Sequence, residues 1–184
     1  MLHVTAHCIP VLIQQNIDGS NFFNRSWAEF KVGFNDSRGN YWLGNDLLSQ
    51  LTLSGHYKLR FDLQLLNHSW CWAEYSRFTV HGESSNYTLH VSGYSGNIGF
   101  DALGRYHHGM KFTTYDRDND PWTSNSTESR QYNDNCAKAI GGGFWYGNCG
   151  RCRVNGVRGR DFGFSWIFEK IYLHLQRSRM WLTC

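Results

Sequence analysis

The sequence contains very little proline and little charge. Only 2 of its 184 residues are Pro, and Asp, Glu, Lys and Arg together make up 18%, below the quarter that is typical of soluble domains. No repeat and no Pro/Ser-rich linker divides the chain, so we expect one domain. Disorder is excluded, because disordered chains carry charge and lack aromatic residues, whereas this chain has 12 Phe, 8 Trp and 10 Tyr.

Long apolar runs are also missing. The mean hydropathy is −0.52 and no run of 18 apolar residues occurs, which excludes a conventional membrane-spanning helix. The first seventeen residues carry no Asp, Glu, Lys or Arg, but polar residues interrupt them and no basic start precedes them. This is a poor secretory signal, so we expect that a leader is absent from this sequence or that the chain is a fragment.

Positive charge is concentrated near the end of the chain. The net charge of +3 divides into −2 for residues 1–138 and +5 for residues 139–184. Most of this excess comes from Arg151, Arg153, Arg158 and Arg160. These side chains could contact phosphate, sulfated sugar or acidic protein, or they could form a solvated loop without a specific role. We predict no nucleic-acid partner.

Cysteines and glycosylation acceptors indicate the compartment. The six cysteines permit 15 complete pairings, and the sequence alone does not choose among them. Five N-x-S/T acceptors occur where roughly 2 are expected by chance, which favours secretion over coincidence; they begin at Asn24, Asn35, Asn67, Asn86 and Asn125. Cys149 and Cys152 form a CxxC motif. This motif alone is a weak sign of a redox or zinc site, because no second motif accompanies it. Disulfide bonding of at least Cys149 is the better interpretation.

Local patterns predict two helices followed by strands. Ser26 and Glu29 fit a capping box at the start of a helix over about 26–33. A second helix is predicted to begin near Asn45, with Asn45 or Asp46 satisfying its free amides. Apolar residues alternate over 57–65, which is typical of a half-buried strand. Shorter alternating segments lie at 78–80, 87–91 and 171–175. Beyond about residue 92 the pattern fades, and a long irregular region of this kind is usually a binding region.

An acidic run at residues 116–120 is a candidate cation site. Side-chain oxygens recur at every second position, which suits a hard cation such as Ca²⁺. An EF-hand is excluded, because Pro121 and Thr127 stand where that loop needs Gly and Glu. The alternative is a solvated acidic turn without a metal.

The order of several motifs resembles that of the fibrinogen C-terminal globular domain family, whose members include ficolins, tachylectins, tenascins and angiopoietins. The resemblance covers about residues 11–182 and includes Tyr41-Trp42-Leu43-Gly44-Asn45-Asp46. It continues with His108-Gly109-Met110-Lys111-Phe112-Thr113-Thr114, the acidic run, Asn135-Cys136-Ala137 and Gly143-Phe144-Trp145-Tyr146-Gly147-Asn148-Cys149.

The resemblance implies a fold and a calcium site. It implies a secreted, extracellular α+β domain with a twisted antiparallel sheet, short helices and a loop-rich, calcium-holding recognition subdomain over about 93–170. Carried over by position, the calcium ligands are the carboxylates of Asp118 and Asp120 and the backbone carbonyls of Trp122 and Ser124, with Asp116 beside the ion. The family disulfide maps to Cys136 and Cys149.

The resemblance also implies a ligand face. In lectin members the peptide bond corresponding to Asn135-Cys136 is cis and shapes an acetyl pocket, whose other positions here are Ala137, Arg151 and Cys152. Acetyl-binding members often have His in place of Ala137 and an aromatic and a small residue in place of Arg151 and Cys152. Trp145 is a candidate for stacking on a sugar, with core packing as the alternative.

The first part of the chain departs from the family pattern. Members normally begin earlier, with a strand pair and a disulfide, and residues 1–10 do not resemble that segment. We therefore expect a divergent segment over 1–10, a domain over 11–184 and a truncated N-terminal subdomain. Four cysteines match no family pair that we can place: Cys8, Cys71, Cys152 and Cys184.

Two functions follow as hypotheses. The first is a calcium-dependent lectin-like domain that binds acetylated or acidic glycans in innate defence or adhesion. The second is a signalling or matrix module that binds a protein receptor, as angiopoietin-like and tenascin-like members do. An enzyme is not predicted, because no familiar local signature of nucleophile, base and orienting group occurs. The domain could also form a homo-oligomer.

Overall fold

A long antiparallel sheet forms the centre of the fold in the computed structural model, which describes residues 9–123, 132, 134–160 and 163–184. Its strands within these ranges are β1 (Val11–Asn16), β2 (Phe34–Asn35), β3 (Tyr41–Trp42), β4 (Tyr57–Leu65), β5 (Trp70–Val80), β6 (Leu89–Gly96), β7 (Cys152–Arg153), β8 (Ser165–Phe168) and β9 (Ile171–Thr183). The main sheet has the order β2-β3-β1-β9-β4-β5-β6, and β8 joins β7 to β9. All of these pairs are antiparallel.

Short helices accompany the sheet. The described helices are α1 (Trp27–Val32), α2 (Asn45–Ser54), α3 (Ala102–His107) and α4 (Cys136–Ile140), with 3-10 turns at Asn21–Phe23 and Glu83–Ser85. None of the helices in the described ranges is long and apolar enough to cross a bilayer. The α+β architecture with an antiparallel sheet agrees with the prediction.

The predicted strands are found, with changed limits. Leu59, Phe61 and Leu63 of β4 are fully buried, while the alternate residues are partly exposed, as the alternation predicts. The segments at 78–80 and 171–175 belong to the longer strands β5 and β9. Tyr87 was expected in a strand, but it has a φ of 51° and precedes β6, because a left-handed residue cannot continue the ladder.

The capping box at α1 is confirmed. The Ser26 hydroxyl accepts from the Glu29 amide at 3.3 Å, and the Glu29 carboxylate accepts from the Ser26 amide at 2.9 Å. These two bonds satisfy amides that the first turn of a helix leaves without partners.

The expected cap of α2 is wrong. Its N-cap is Gly44, which offers no side chain. The Asn45 side chain instead accepts from the Trp42 indole at 3.1 Å, and Asp46 accepts from the Tyr87 hydroxyl. Both polar side chains therefore accept from aromatic residues outside the helix and are not available to the helix amides.

An aromatic core fills the space between the sheet and the irregular region. The ring of Trp145 lies 5.1 Å from that of Phe112 and 6.0 Å from that of Trp42, and Phe30 lies 5.0 Å from Phe112. These residues are at most 1% exposed. The rings come from segments far apart in the sequence, so the core fixes the irregular region against α1 and β3.

Gly33 and Gly44 let α1 and α2 approach closely. Gly33 has a φ of 92°, and an added Cβ would lie 2.5 Å from the Leu43 carbonyl oxygen. At Gly44, with a φ of 106°, an added Cβ would lie 2.8 Å from the Val32 backbone. Each position therefore excludes a side chain for two reasons, backbone conformation and contact.

Gly33→Ala should destabilise the domain much more than Gly99→Ala. Gly99 has the same φ of 92° but nothing within 4 Å of an added Cβ, so it isolates the conformational cost of roughly 1 kcal/mol. We expect roughly 3 kcal/mol or more for Gly33→Ala, since overpacking adds to strain. Urea unfolding of both variants measures the difference, and equal costs would contradict the close approach.

Candidate cation and ligand site

The acidic run forms a tight turn that is joined to α1. Thr114 and Arg117 exchange backbone hydrogen bonds of 3.0 and 3.2 Å across it. The Asp116 carboxylate accepts from the Trp27 amide at 2.9 Å and from the Thr114 hydroxyl at 2.7 Å. One Asp116 oxygen is thus occupied by hydrogen bonds to Trp27 and Thr114, and its place beside a cation stays a prediction.

Asp120 connects this turn to α4. Its Oδ1 accepts from the Trp122 amide at 3.0 Å, and its Oδ2 accepts from the Cys136 amide at 3.1 Å. Asp118 lies next to it, because its carboxylate accepts from the Asp120 amide at 3.3 Å. The two carboxylates predicted as calcium ligands are therefore neighbours.

The electrostatics of this pair favour a cation. Burial raises the pKa of Asp120 to about 7, and the negative charge of Asp118 adds to this, although the amides of Trp122 and Cys136 oppose it. A partly buried carboxylate with a like charge beside it is costly unless a cation or proton neutralises it. The residues present therefore fit a small hard cation.

The remaining predicted ligands are backbone carbonyls. Trp122 is partly buried next to Asp120, and Ser124 lies outside the described residues. Within the described ranges no three His, Cys, Asp or Glu side chains are grouped to hold a metal. A cation at this turn would therefore depend on two carboxylates together with main-chain oxygens, a ligand set that Ca²⁺ accepts.

Asn135 begins α4 as its N-cap. Its side chain accepts from the Lys138 amide at 2.9 Å and donates to the Thr114 carbonyl at 3.0 Å. The expected cis bond to Cys136 is wrong, because no peptide bond in the described residues is cis. Asn135 instead adopts the extended conformation of an ordinary N-cap, with φ −103° and ψ 113°, which a trans chain enters without cost.

Cysteines join α4 to the loop that follows. Cys136 and Cys149 form a disulfide with a Cα–Cα distance of 4.9 Å. Among the described cysteines, Cys71 and Cys152 carry free thiols, and Cys184 is disulfide-bonded. Cys149 and Cys152 are therefore not bonded to each other, and the CxxC contributes only one member of the bridge.

His107 fixes the loop that contains the predicted ligand residues, and sequence reasoning missed it. Its Nδ1 lies 2.6 Å from the Trp145 carbonyl oxygen, so Nδ1 carries the proton and donates. Its Nε2 then accepts from the amides of Arg151 at 3.0 Å and Cys152 at 2.9 Å. Burial lowers the pKa of His107 to about 4. The only sequence hint is its position directly before the motif that begins at His108.

The guanidinium of Arg151 is the polar group that this loop offers to a ligand. Its guanidinium lies 5.4 Å from the centre of the Tyr106 ring and donates to the Glu169 carbonyl at 2.7 Å. The side chain is partly exposed. Since a guanidinium has five N–H donors, most of them remain for a ligand.

The other predicted ligand residues are buried. They are at most 2% exposed and comprise Asn135, Cys136, Ala137, Trp145 and Cys152. Trp145 packs in the aromatic core, and its indole donates to the Tyr87 carbonyl, so the expectation that it stacks on a sugar is corrected. The loop thus brings the six predicted positions into one region but offers a ligand mainly the Arg151 side chain.

Comparison with known proteins relates most of the chain to one family. Residues 6–179 match the model of the C-terminal globular domain of fibrinogen beta and gamma chains. The chain is 39% identical over 183 residues to the fibrinogen beta chain of Gallus gallus, covering 86% of this chain and 38% of that protein. It is 36% identical over 179 residues to ficolin-3 of Homo sapiens, covering 94% and 56%. The chain thus spans less than two thirds of these relatives' length.

Comparison with solved structures supports the same family. The fibrinogen-like globe domain of human ANGPTL2 superimposes with a TM-score of 0.80 at 35% identity, covering 94% of this chain and 79% of that one.

His107→Gln should reduce the loss of stability in acid. Because the pKa of His107 is about 4 when folded and about 6.5 when unfolded, the unfolded chain alone binds a proton between these values. Stability that is full above pH 6.5 is therefore lost as the pH falls towards 4, by on the order of 3 kcal/mol. We expect His107→Gln to flatten this dependence, measured by urea unfolding at pH 7.5 and 4.5.

The control for this experiment is His56→Gln at an exposed site. Other titrating groups change both proteins equally, so only the difference between each variant and the parent is interpreted. An identical pH dependence in His107→Gln and the parent chain would show that this imidazole is not held neutral.

Proposed function

Because the chain belongs to the family of fibrinogen C-terminal globular domains, we propose that it is an extracellular, calcium-dependent recognition domain for acidic or acetylated glycans. Fibrinogen-related domains are non-enzymatic binding or structural modules. Relatives such as fibrinogen and ficolin are secreted proteins, and we extend this location to the present chain.

One contact carries the proposal: the bond from the Cys136 amide to the Asp120 carboxylate. Through it, the acidic turn is joined to α4, and the Cys136–Cys149 disulfide continues the connection to the loop that ends at Arg151. Calcium would neutralise the charge of Asp118 and Asp120 when bound. With that charge neutralised, Asp120 can remain ionised and keep both of its amide bonds.

The chemistry of the ligand follows from Arg151. A planar guanidinium pairs with carboxylates and sulfates through two parallel hydrogen bonds. The Tyr106 ring and the Glu169 carbonyl hold this side chain at the surface, so little rotamer entropy remains to be lost on binding. Acidic sugars therefore suit the site better than a neutral acetyl group, whose methyl needs a slot that the buried Ala137 and Cys152 do not open.

Binding of a protein receptor is the second candidate. The same burial of Ala137 and Cys152 favours it, because a surface without a deep slot is better suited to a broad protein interface than to a small ligand. The likeness to an angiopoietin-like globe is consistent with this alternative.

We expect calorimetric titration with Ca²⁺ to reveal one site in the parent chain. Replacing Asp118 and Asp120 together by Asn should weaken this binding at least tenfold, since the turn would lose both charged ligands. The matched control is Asp18→Asn, a partly exposed carboxylate outside the turn that pairs with Arg38. Full calcium affinity in the double variant would disprove the assignment.

Arg151→Ala should reduce binding to acidic glycans on an array, and chelator or added salt should do the same. Arg105→Ala removes an exposed guanidinium on α3 and should leave the pattern unchanged. Arg151→Lys should bind less than the parent, because an ammonium does not form the planar pair. Glycan binding that survives chelator, high salt and Arg151→Ala together would show that the glycan-binding surface is not on this loop.

A complete absence of glycan binding, combined with a normal calcium site, would favour the receptor-binding alternative. Calcium titration and the array therefore test two separate parts of the proposal.

A further inference from the structure

The outer face of the central sheet carries a set of aromatic and charged side chains, which we call the tryptophan row. Its members are Arg60 and Asp62 of β4, Trp70 and Trp72 of β5, and Arg179 and Trp181 of β9. Asp62 pairs in register with Trp72 on one side and with Arg179 on the other. Side chains opposite each other on neighbouring strands share a face, so the row lies on one surface.

Stacking and hydrogen bonds hold the row in place. The guanidinium of Arg60 lies 4.9 Å from the Trp72 ring centre, and that of Arg179 lies 5.6 Å from the Trp70 ring centre. The Asp62 carboxylate accepts from the Trp181 indole at 3.0 Å and from Arg60 at 3.0 Å. These contacts fix the orientation of the indoles before any ligand arrives.

The row remains accessible to large molecules. Trp70 is 45% exposed, and the other two indoles are partly exposed. A cleft of about 280 Å³ adjoins the end of the row, lined in part by Arg60, Asp62 and Trp181. Exposed indoles on a sheet have no role in the core, which lies on the opposite face around Phe61.

The surroundings of the row are positively charged. The strands β4, β5 and β9 contain five Lys or Arg residues and two Asp or Glu residues. Arg177 is exposed on β9 and lies opposite Gln64 of β4, so it extends the positive surface. An anionic partner is therefore favoured over a neutral or cationic one.

We propose that the tryptophan row binds a sulfated polysaccharide chain without calcium. Indole faces supply flat apolar surfaces for sugar rings, while the guanidinium groups pair with sulfates. A glycan that presents both rings and sulfates along its length matches alternating indoles and guanidiniums better than an isolated anion does. The row lies on β4, β5 and β9, whereas the site proposed above lies at the Asp118–Asp120 turn and the Arg151 loop. The two proposed functions therefore use different parts of the chain.

The first experiment measures binding of heparin oligosaccharides by calorimetry in the presence of EDTA, using enzymatically deglycosylated protein because Asn67 in the β4–β5 turn is a glycan acceptor. We expect binding that weakens with salt and is lost with desulfated heparin. Trp70→Ala combined with Trp72→Ala should reduce affinity at least tenfold. The control Leu53→Ala removes an exposed apolar side chain on α2 and should change nothing.

A charge variant keeps the proposal testable if the tryptophan variant unfolds. Arg177→Glu at an exposed site should reduce affinity at least fivefold without changing the melting temperature, whereas Arg105→Glu should have little effect. Equal losses in the two Arg variants would indicate ion exchange over the whole surface and would overturn the proposal. Binding that is abolished by EDTA or by Arg151→Ala, or that is unchanged in the folded tryptophan variant, would overturn it as well.

Discussion

Backbone amides and carbonyls that have no hydrogen-bond partner in the sheet are the constraint on which the irregular region after β6 depends. The described residues between β6 and β8 form only short helices and a two-residue strand, yet many of them are buried. Buried amides and carbonyls are costly unless they are paired. Side chains supply the missing partners. His107 serves three backbone groups, Asn135 serves two, and Asp120 serves two. The positions of these described loop segments are therefore set by a few polar side chains that are buried or partly buried.

The sheet contributes further partners of this kind. Gln14 of β1 donates to the Val154 carbonyl at 3.2 Å and to the Asn155 side chain at 2.9 Å. Asn155 in turn donates to the Gly143 carbonyl at 2.9 Å. A continuous path of hydrogen bonds thus leads from the strands to the segment next to the aromatic core. These bonds hold the loop backbone in a defined position relative to the sheet.

Local features could be predicted from the sequence, and features that depend on distant contacts could not. The alternation in β4 and the capping box of Ser26 involve neighbours in the chain, so pattern alone was sufficient. Asp46 was misassigned because its carboxylate accepts from Tyr87, 41 positions along the chain. Asn45 was misassigned although its partner Trp42 is only three positions away, because the pattern did not show that the Trp42 indole points at this side chain. The burial of His107 results from contacts with residues 38 and 44 positions away. The acidic turn was found from its composition, but its connection to α4 through Asp120 required the structure.

The close approach of α1 and α2 also limits which amino-acid substitutions this part of the chain can accept. At most packed interfaces a larger residue on one side can be accommodated by a smaller one on the other side. Here Gly33 faces the backbone at Leu43, and Gly44 faces the backbone at Val32, so neither neighbour has a side chain in the contact that could be reduced. A side chain added at either glycine therefore cannot be accommodated by a smaller side chain on the opposite segment.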